Sequence, residues 1–328
     1  MLLLEIPDPI YGSIKIYNEK ILRIVQSSLF DRLKGIRQAG IDTACGARNS
    51  CSRYEHSLGT YELVRRLSSD EFEQIFALLH DIYHTNFSHT IDFMTENSDV
   101  SFHEVNKYNF FQNIDNNPLI EILGPNWMSY MTNSENHPIT KNNGADKIDY
   151  LLRDGYYIGL FSHTFINDVI THLSVIDNRI VCSNRRVIKE FYDYSKILTD
   201  EYYNGAQTKG LAIIFCALLK FAFHRRYINQ SDIYYGYKSD AELWDTILQI
   251  EDFDIQYLLK FLNANTAYKC FPSGTCRLRG YQLLRANVPN RLRYTILPLF
   301  ENNTVQNIIV EKNINNTHID VYQCSRSR

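Results

Sequence analysis

Apolar side chains recur at helical spacing over the first two thirds of the chain. A short alternating stretch, GSIKIY from Gly12 to Tyr17, reads as a strand, and Asn18 then stands where it can cap a helix through Ile21, Ile24 and Val25. Ser28-Leu29-Phe30-Asp31 predicts a further helix ending near Gly40. Ser52-Arg53-Tyr54-Glu55 has the spacing of a capping box, which puts His56 in the first turn of the next helix, and Ser68 with Glu71 repeats the device. Phe72, Ile75, Phe76, Leu79 and Tyr83 keep a 3.6-residue period, so DEFEQIFALLHDIYH reads as a buried helix with His80 and Asp81 near its end. Polar groups buried there need a partner or a ligand.

A second helix bearing polar groups follows NNG and runs through ADKIDYLLRDGYY. Helical spacing continues from about Thr164 to Tyr227, broken by DNRIVCS, which suits a small hairpin. Beyond Ser231 the pattern is mixed: DAELWDTILQ is helical, whereas RYTILPLF, NIIVEK and HIDVYQC alternate like strands around Asn-rich turns. The expectation is a mostly α fold: a helical core over residues 1–230 with a small β-hairpin, and a mixed α/β C-terminal appendage over residues 231–328 packed on it.

Composition narrows the class. The 328 residues suffice for a large apolar core without staples, and seven cysteines without a close CxxC pair fit neither a disulfide framework nor a zinc finger. A net charge of −3 gives no overall pull toward nucleic acid. The most apolar run, LAIIFCALLKFAF, is too short to span a bilayer, and MLLLEIPDPIYG lacks the marks of a secretory leader, so a cytoplasmic protein without a membrane partner is expected. Ile255 to Phe300 holds Lys260, Lys269, Arg277, Arg279, Arg285, Arg291 and Arg293 with no acidic residue. That stretch is either a solvated face or an anion-binding surface.

The chemistry concentrates in LLHDIYHTNFSHTID, where His80, His84 and His89 fall within ten positions beside Asp81 and Asp92, in a chain with ten histidines. The adjacent pair His80-Asp81 can ligate a metal if others join it, and His56 and Asp146, each near a helix end, can. Two imidazoles and two carboxylates suit divalent Mn, Fe, Mg, Zn, Co or Ni.

In this order, Arg53-x-x-His56, His80-Asp81 and Asp146 resemble the HD superfamily of metal-dependent phosphohydrolases. The blocks IPDPIYGSIKI, FDRLKGIRQAG, SRYEHSLG, LLHDIYHTNFSHTID, FHEV and ADKIDYLLRDGYYIG are similar to the deoxynucleoside triphosphate triphosphohydrolases related to the SAM-and-HD-domain protein. The resemblance implies metal ligation by His56, His80, Asp81 and Asp146. It implies a phosphate hold by Arg53, a phosphate site lined by His84, His89 and His103, and His89 backed by Asp92 as general acid for the leaving 5′-oxygen. Glu104 would support His103. Asp146, Tyr150 and Asp154 share one helix face; the resemblance places Lys147 and Tyr150 near phosphate and has Asp154 and Gln38 read the 3′-hydroxyl. Gln207 and Lys209 correspond to later substrate contacts. A nucleotide substrate and a homo-oligomer are implied with them.

Departures from the family pattern carry expectations of their own. Gln26, Asp31, Lys34 and Asp168 stand where guanine-nucleotide-regulated relatives build an effector site, so GTP is not expected to be an obligatory activator. Ala39 replaces the family's leucine after the glutamine, and Ala206 falls where a tyrosine closes the pocket against a 2′-hydroxyl, so weaker discrimination against ribonucleotides than in the family is expected unless Tyr202 or Tyr203 fills the gap. The rival readings are an HD phosphohydrolase for another nucleotide, and a scaffold that binds nucleotide or nucleic acid without turnover; a binder has no need of a general acid.

Overall fold

The chain opens as an antiparallel hairpin, Leu4–Asp8 against Gly12–Ile16, with Ile6 opposite Ile14. The computed structural model describes residues 1–94, 102–113, 118–128, 131, 137–141, 143–272, 281–289, 297–306 and 318–324. The first strand carries Pro7, which an edge strand tolerates. Asp8 turns the hairpin by accepting the Ile10 and Tyr11 N–H groups on Oδ1, both at 2.9 Å. Asn18 caps the helix Glu19–Val25, which buries Ile21, Ile24 and Val25.

Two helices build the centre. Arg53–Leu67 starts with the expected capping box, Ser52 and Glu55 each holding the other's backbone N–H. Glu71–Leu79 packs beside it, but its cap is Asp70, whose carboxylate accepts from Phe72 and Glu73; Ser68 closes the preceding helix instead. Glu71 is drawn away to Asn18 and Lys20. The helix is also rotated from its apolar pattern. Phe72 is 53% exposed while Glu73 is buried, because Glu73 accepts from Ile139 N–H at 3.0 Å and the Thr140 hydroxyl at 2.8 Å. Those bonds fasten residues 137–141 in front of the helix Ala145–Tyr157, which carries Asp146.

The helix expected to reach Gly40 ends sooner. Ser28–Asp31 passes into a 3-10 turn, Arg32–Gly35, and there the backbone approaches another segment: a Cβ on Gly35 would lie 2.7 Å from the Ser239 Cβ. The chain then runs extended, Arg37 bridging to Ser52, and turns back through the short helix Ile41–Ala44.

Ala206–His224 is the apolar helix of the sequence. The stretch Arg185–His224, helical but for Asn204 and Gly205, is long and apolar enough to cross a membrane, yet 56% of its apolar window is buried. Leu211, Phe215, Leu218 and Leu219 pack in one cluster with Ile41, Phe87 and Ile91 and with Leu243, Ile247 and Ile255 from the later helices Asp240–Leu248 and Phe253–Leu259. It is therefore a core helix.

Strands fill two further places. Leu173–Ile176 and Arg179–Cys182 form the expected hairpin, turned at Asp177 and Asn178 with φ of +49° and +58°. Leu299–Glu301 returns to pair in parallel with it at Cys182, and Thr304–Gln306 extends that sheet to four strands. Tyr268–Pro272, His318–Cys324 and Tyr281–Pro289 form a separate antiparallel sheet with His318–Cys324 in the middle. The expected strand NIIVEK, residues 307–312, lies outside the described residues, as do Arg277, Arg279, Arg291, Arg293 and the Arg285 side chain.

A candidate metal and phosphate site

His56 sits one turn into the helix Arg53–Leu67, and His80 closes the helix Glu71–Leu79, so two helix ends bring two buried imidazoles edge to face with ring centres 5.0 Å apart. Each ring has its Nδ1 committed. His56 Nδ1 lies 2.8 Å from Asp149 Oδ2 and His80 Nδ1 lies 2.8 Å from the Ala77 carbonyl oxygen. A carboxylate and a carbonyl only accept, so both Nδ1 atoms carry the hydrogen and both Nε2 lone pairs point the other way. Those Nε2 atoms face each other at 3.1 Å. Asp146 Oδ1 joins them at 3.3 Å from His56 and 3.5 Å from His80.

Acceptors converging on one point repel unless a cation or protons lie between them. Burial opposes charge on His56, but the Asp146 and Asp149 carboxylates outweigh it and raise the ring to about 9. The donor set fits a divalent metal ion: two neutral imidazoles and a carboxylate whose ligand atoms lie within 4.8 Å of one another. His56, His80 and Asp146 are thus brought together as expected.

Asp81 stands at the rim of this group. Its Oδ1 is 3.6 Å from His80 Nε2 and 3.7 Å from His84 Nε2, and its Oδ2 is 3.8 Å from His56 Nε2. The nearer partner is Arg53, whose Nη1 donates to Oδ2 at 2.6 Å. Burial would raise the Asp81 carboxyl; Arg53, with His80 and His56, holds it well below the usual carboxylate range. Arg53 also donates from Nε to Ser88 Oγ at 3.0 Å. Its Nη2 is buried without a hydrogen-bond partner among the described residues.

Behind the histidines lies a second layer that the motif spacing did not expose. Asp149 orients His56 and accepts from Arg153 Nε at 2.8 Å, and Arg153 Nη2 reaches Asp8 Oδ2 at 2.8 Å. All three are buried, and breaking such a fully enclosed pair costs about 3–5 kcal/mol. Gly59 makes room for it, since a Cβ there would run into the Arg153 guanidinium and the Asp149 carboxylate. The available signal was the spacing Asp146, Asp149, Arg153, which is i, i+3, i+7 on one helix face. Lys141 is a further neighbour, with Nζ 3.2 Å from Asp146 Oδ2.

The remaining histidines flank this centre. His84 is buried and meets His89 edge-on, with ring centres 5.1 Å apart. His89 Nδ1 is 3.1 Å from Asp92 Oδ2, and Asp92 Oδ1 accepts the Phe102 N–H at 2.7 Å. The 3-10 geometry of Ser88–Met94 sets residues three apart on one side. Phe87 before it and Ser88 at its start hold φ of +57° and +48°, a left-handed pair that costs about 1–3 kcal/mol per residue and persists only where the surroundings impose it. The side chains of His103 and Glu104 lie outside the described residues.

On the far side, the Tyr150 ring lies 6.3 Å from His56, and Lys147 donates to Asn143 at 3.0 Å. The Tyr203 hydroxyl meets Asp154 Oδ2 at 2.6 Å, and burial pushes the Asp154 carboxyl up against the pull of Arg48 and Tyr203. Gln38 Oε1 is buried without a partner among the described residues. Gln207 faces the Asn263 carbonyl at 3.5 Å, and Lys209 is buried beside Cys270, desolvation lowering its amine to about 8.

A helical fold that converges two imidazoles and aspartates on one cation site is a divalent-metal centre. Residues 53–150, which contain all four expected ligands, match the HD domain family. Among relatives, the uncharacterized protein YdhJ of Bacillus subtilis is 29% identical over 265 residues, 78% of this chain and 79% of that one. The metal-dependent phosphohydrolase cns2 of Cordyceps militaris is 33% identical over 174 residues, 51% of this chain and 50% of that one. Deoxynucleoside triphosphate triphosphohydrolase SAMHD1 of Bos taurus is 36% identical over 102 residues, 26% of this chain and 17% of that one. In three dimensions, a phosphohydrolase from Bacteroides thetaiotaomicron superposes with a TM-score of 0.70 at 18% identity over 99% of this chain and all of that one, a likeness of fold.

Proposed function

We propose that this HD-domain protein hydrolyses deoxynucleoside triphosphates to deoxynucleoside and triphosphate, working in the cytoplasm as a homo-oligomer. The observation that carries the hydrolytic reading is the convergence of the His56 and His80 Nε2 atoms with Asp146, beside an Arg53 with one buried donor unspent among the described residues. The choice of substrate rests on the motif blocks and on the SAMHD1 relatives. His56, His80, Asp81 and Asp146 would hold a divalent cation, which when bound would supply Lewis-acid chemistry to a phosphoryl oxygen and to water.

The chain's own residues do the rest. Arg53 offers Nη2 to a phosphate oxygen while its other nitrogens stay tied to Asp81 and Ser88, so the guanidinium is aimed before substrate arrives. His84, Lys147 and Tyr150 line the phosphate path. Asp92 accepts from His89 Nδ1, which favours the protonated ring and leaves the Nε2 proton for the departing 5′-oxygen. The resemblance of the FHEV block assigns His103 to the same phosphate site and Glu104 to its support. Gln38 and Asp154 read the sugar, and Gln207 and Lys209 contribute from the later helix.

Sugar selectivity tests the substrate reading. Ala39 and Ala206 leave space beside the sugar, but Tyr203 stands on Asp154 and within 6.0 Å of Tyr150. Its ring supplies bulk that the two alanines lack. Native protein is expected to prefer dATP over ATP, and Tyr203→Ala to narrow the ratio of kcat/KM values by about tenfold or more, the scale at which loss of a steric wall relaxes selectivity. Equal use of ATP and dATP by the native protein, unchanged in the variant, would overturn this assignment.

A further inference from the structure

Asp240 opens the helix Asp240–Leu248, more than 150 positions after the histidines, yet it is buried behind their turn. Its carboxylate binds three donors from two distant segments. Oδ1 accepts from Asn86 Nδ2 at 2.8 Å and from the Phe87 N–H at 2.9 Å; Oδ2 accepts from the Arg37 N–H at 2.8 Å. The cap of its own helix does not need it, since Ser239 and Glu242 complete that box. Its neighbours grip the same turn: Ile233 O accepts the Asn86 N–H at 3.1 Å and Lys238 O accepts Asn86 Nδ2 at 2.9 Å.

The turn so held is the strained one. Phe87 and Ser88 are both left-handed, and Phe87 is locked against Phe215 with ring centres 4.6 Å apart. This conformation puts Ser88 Oγ where it accepts from Arg53 Nε at 3.0 Å and donates to the Arg37 carbonyl at 2.7 Å. Asp240 therefore holds Arg37 by its N–H, Ser88 holds Arg37 by its carbonyl, and Phe87, next to Ser88, returns to Asp240. Arg53 hangs on this closed ring.

We propose that Asp240 is a positioning residue for phosphate binding: a carboxylate from the C-terminal third of the chain that fixes Ser88, and through it the aim of the Arg53 guanidinium. The proposal rests on Arg53 as the phosphate hold. An amide at position 240 has one oxygen for donors on two sides, so Asp240→Asn leaves at least one backbone N–H facing an NH2 group. The ring then loosens without loss of a metal ligand.

The test is calorimetric binding of inorganic triphosphate to metal-loaded protein, with metal content measured alongside, for Arg53→Ala, Asp240→Asn, Ser88→Ala and the Asp240→Asn/Ser88→Ala double variant. Arg53→Ala is the control for the parent reading; if it binds triphosphate as well as the native protein, that reading fails and the proposal falls with it. With Arg53→Ala weakened, Asp240→Asn is expected to bind about tenfold more weakly at unchanged metal content. The double variant is expected to be no weaker than the worse single one, because both residues act along one path. Native affinity in Asp240→Asn, or losses that multiply in the double variant, would overturn the proposal while leaving Arg53 in place. Should Asp240→Asn fail to fold, Asp240→Ser, whose smaller side chain leaves room for water, carries the same comparison.

Discussion

Replacing His80 with Ala is expected to remove the bound metal and reduce hydrolysis to background, while most of the fold survives. The imidazole offers its Nε2 to the cation site and is aimed by the Ala77 carbonyl. Alteration of a group that merely orients a ligand already costs about 10–100-fold in metal affinity or activity, so loss of the ligand itself should exceed that. The fold has less at stake. His80 sits at the end of its helix, and the packing of Ile75, Phe76, Leu78 and Leu79 does not run through it. Asp81→Ala should behave alike, with a further loss because Arg53 forfeits the carboxylate at 2.6 Å. Metal analysis of the purified variants beside a hydrolysis assay decides the matter; normal metal content with full activity in either would remove the site.

His89→Ala is expected to leave metal and nucleotide binding intact and to slow turnover by roughly 10²–10⁴, the usual range for loss of a general acid. The surroundings of the ring suit that role. Asp92 orients it through Nδ1, the Phe102 N–H anchors Asp92, and the side chain is 35% exposed, where His84 beside it is closed off. Single-turnover kinetics with saturating nucleotide separates the steps. Collapsed affinity with normal turnover at saturation would make His89 a binding residue instead.

Much of this site could be read in the sequence because its parts are local. The Ser52 capping box fixes where the His56 helix begins, and the apolar period of Phe76 and Leu79 fixes where His80 emerges. His56, His80 and Asp146 accordingly come together, Asp81 stands at their rim on Arg53, and His89 stands against Asp92. What sequence could not supply were contacts between distant segments. Glu73 turned inward against its helix pattern because residues 139 and 140, more than sixty positions on, needed its carboxylate. The helix expected to reach Gly40 stopped at Gly35 because Ser239 lies against that glycine. Local spacing also offered Ser68 as a cap when Asp70, two residues later, was the better acceptor. Asp149 and Arg153 stand four apart on the Asp146 helix, but the reach of Arg153 to Asp8 depends on the hairpin Leu4–Ile16. The parallel return of Leu299–Glu301 to the hairpin at Cys182 has no local signature at all.

Under the proposed function, the bond cut is the one between the 5′-oxygen and the α-phosphate. Product identification tests it most directly: purified protein is incubated with each deoxynucleoside triphosphate and a series of divalent metals, without GTP, and the products are separated and counted. Deoxynucleoside and inorganic triphosphate are expected in equal amounts, dependent on metal. Orthophosphate or pyrophosphate as the inorganic product would contradict the claim, and so would absence of turnover with every metal.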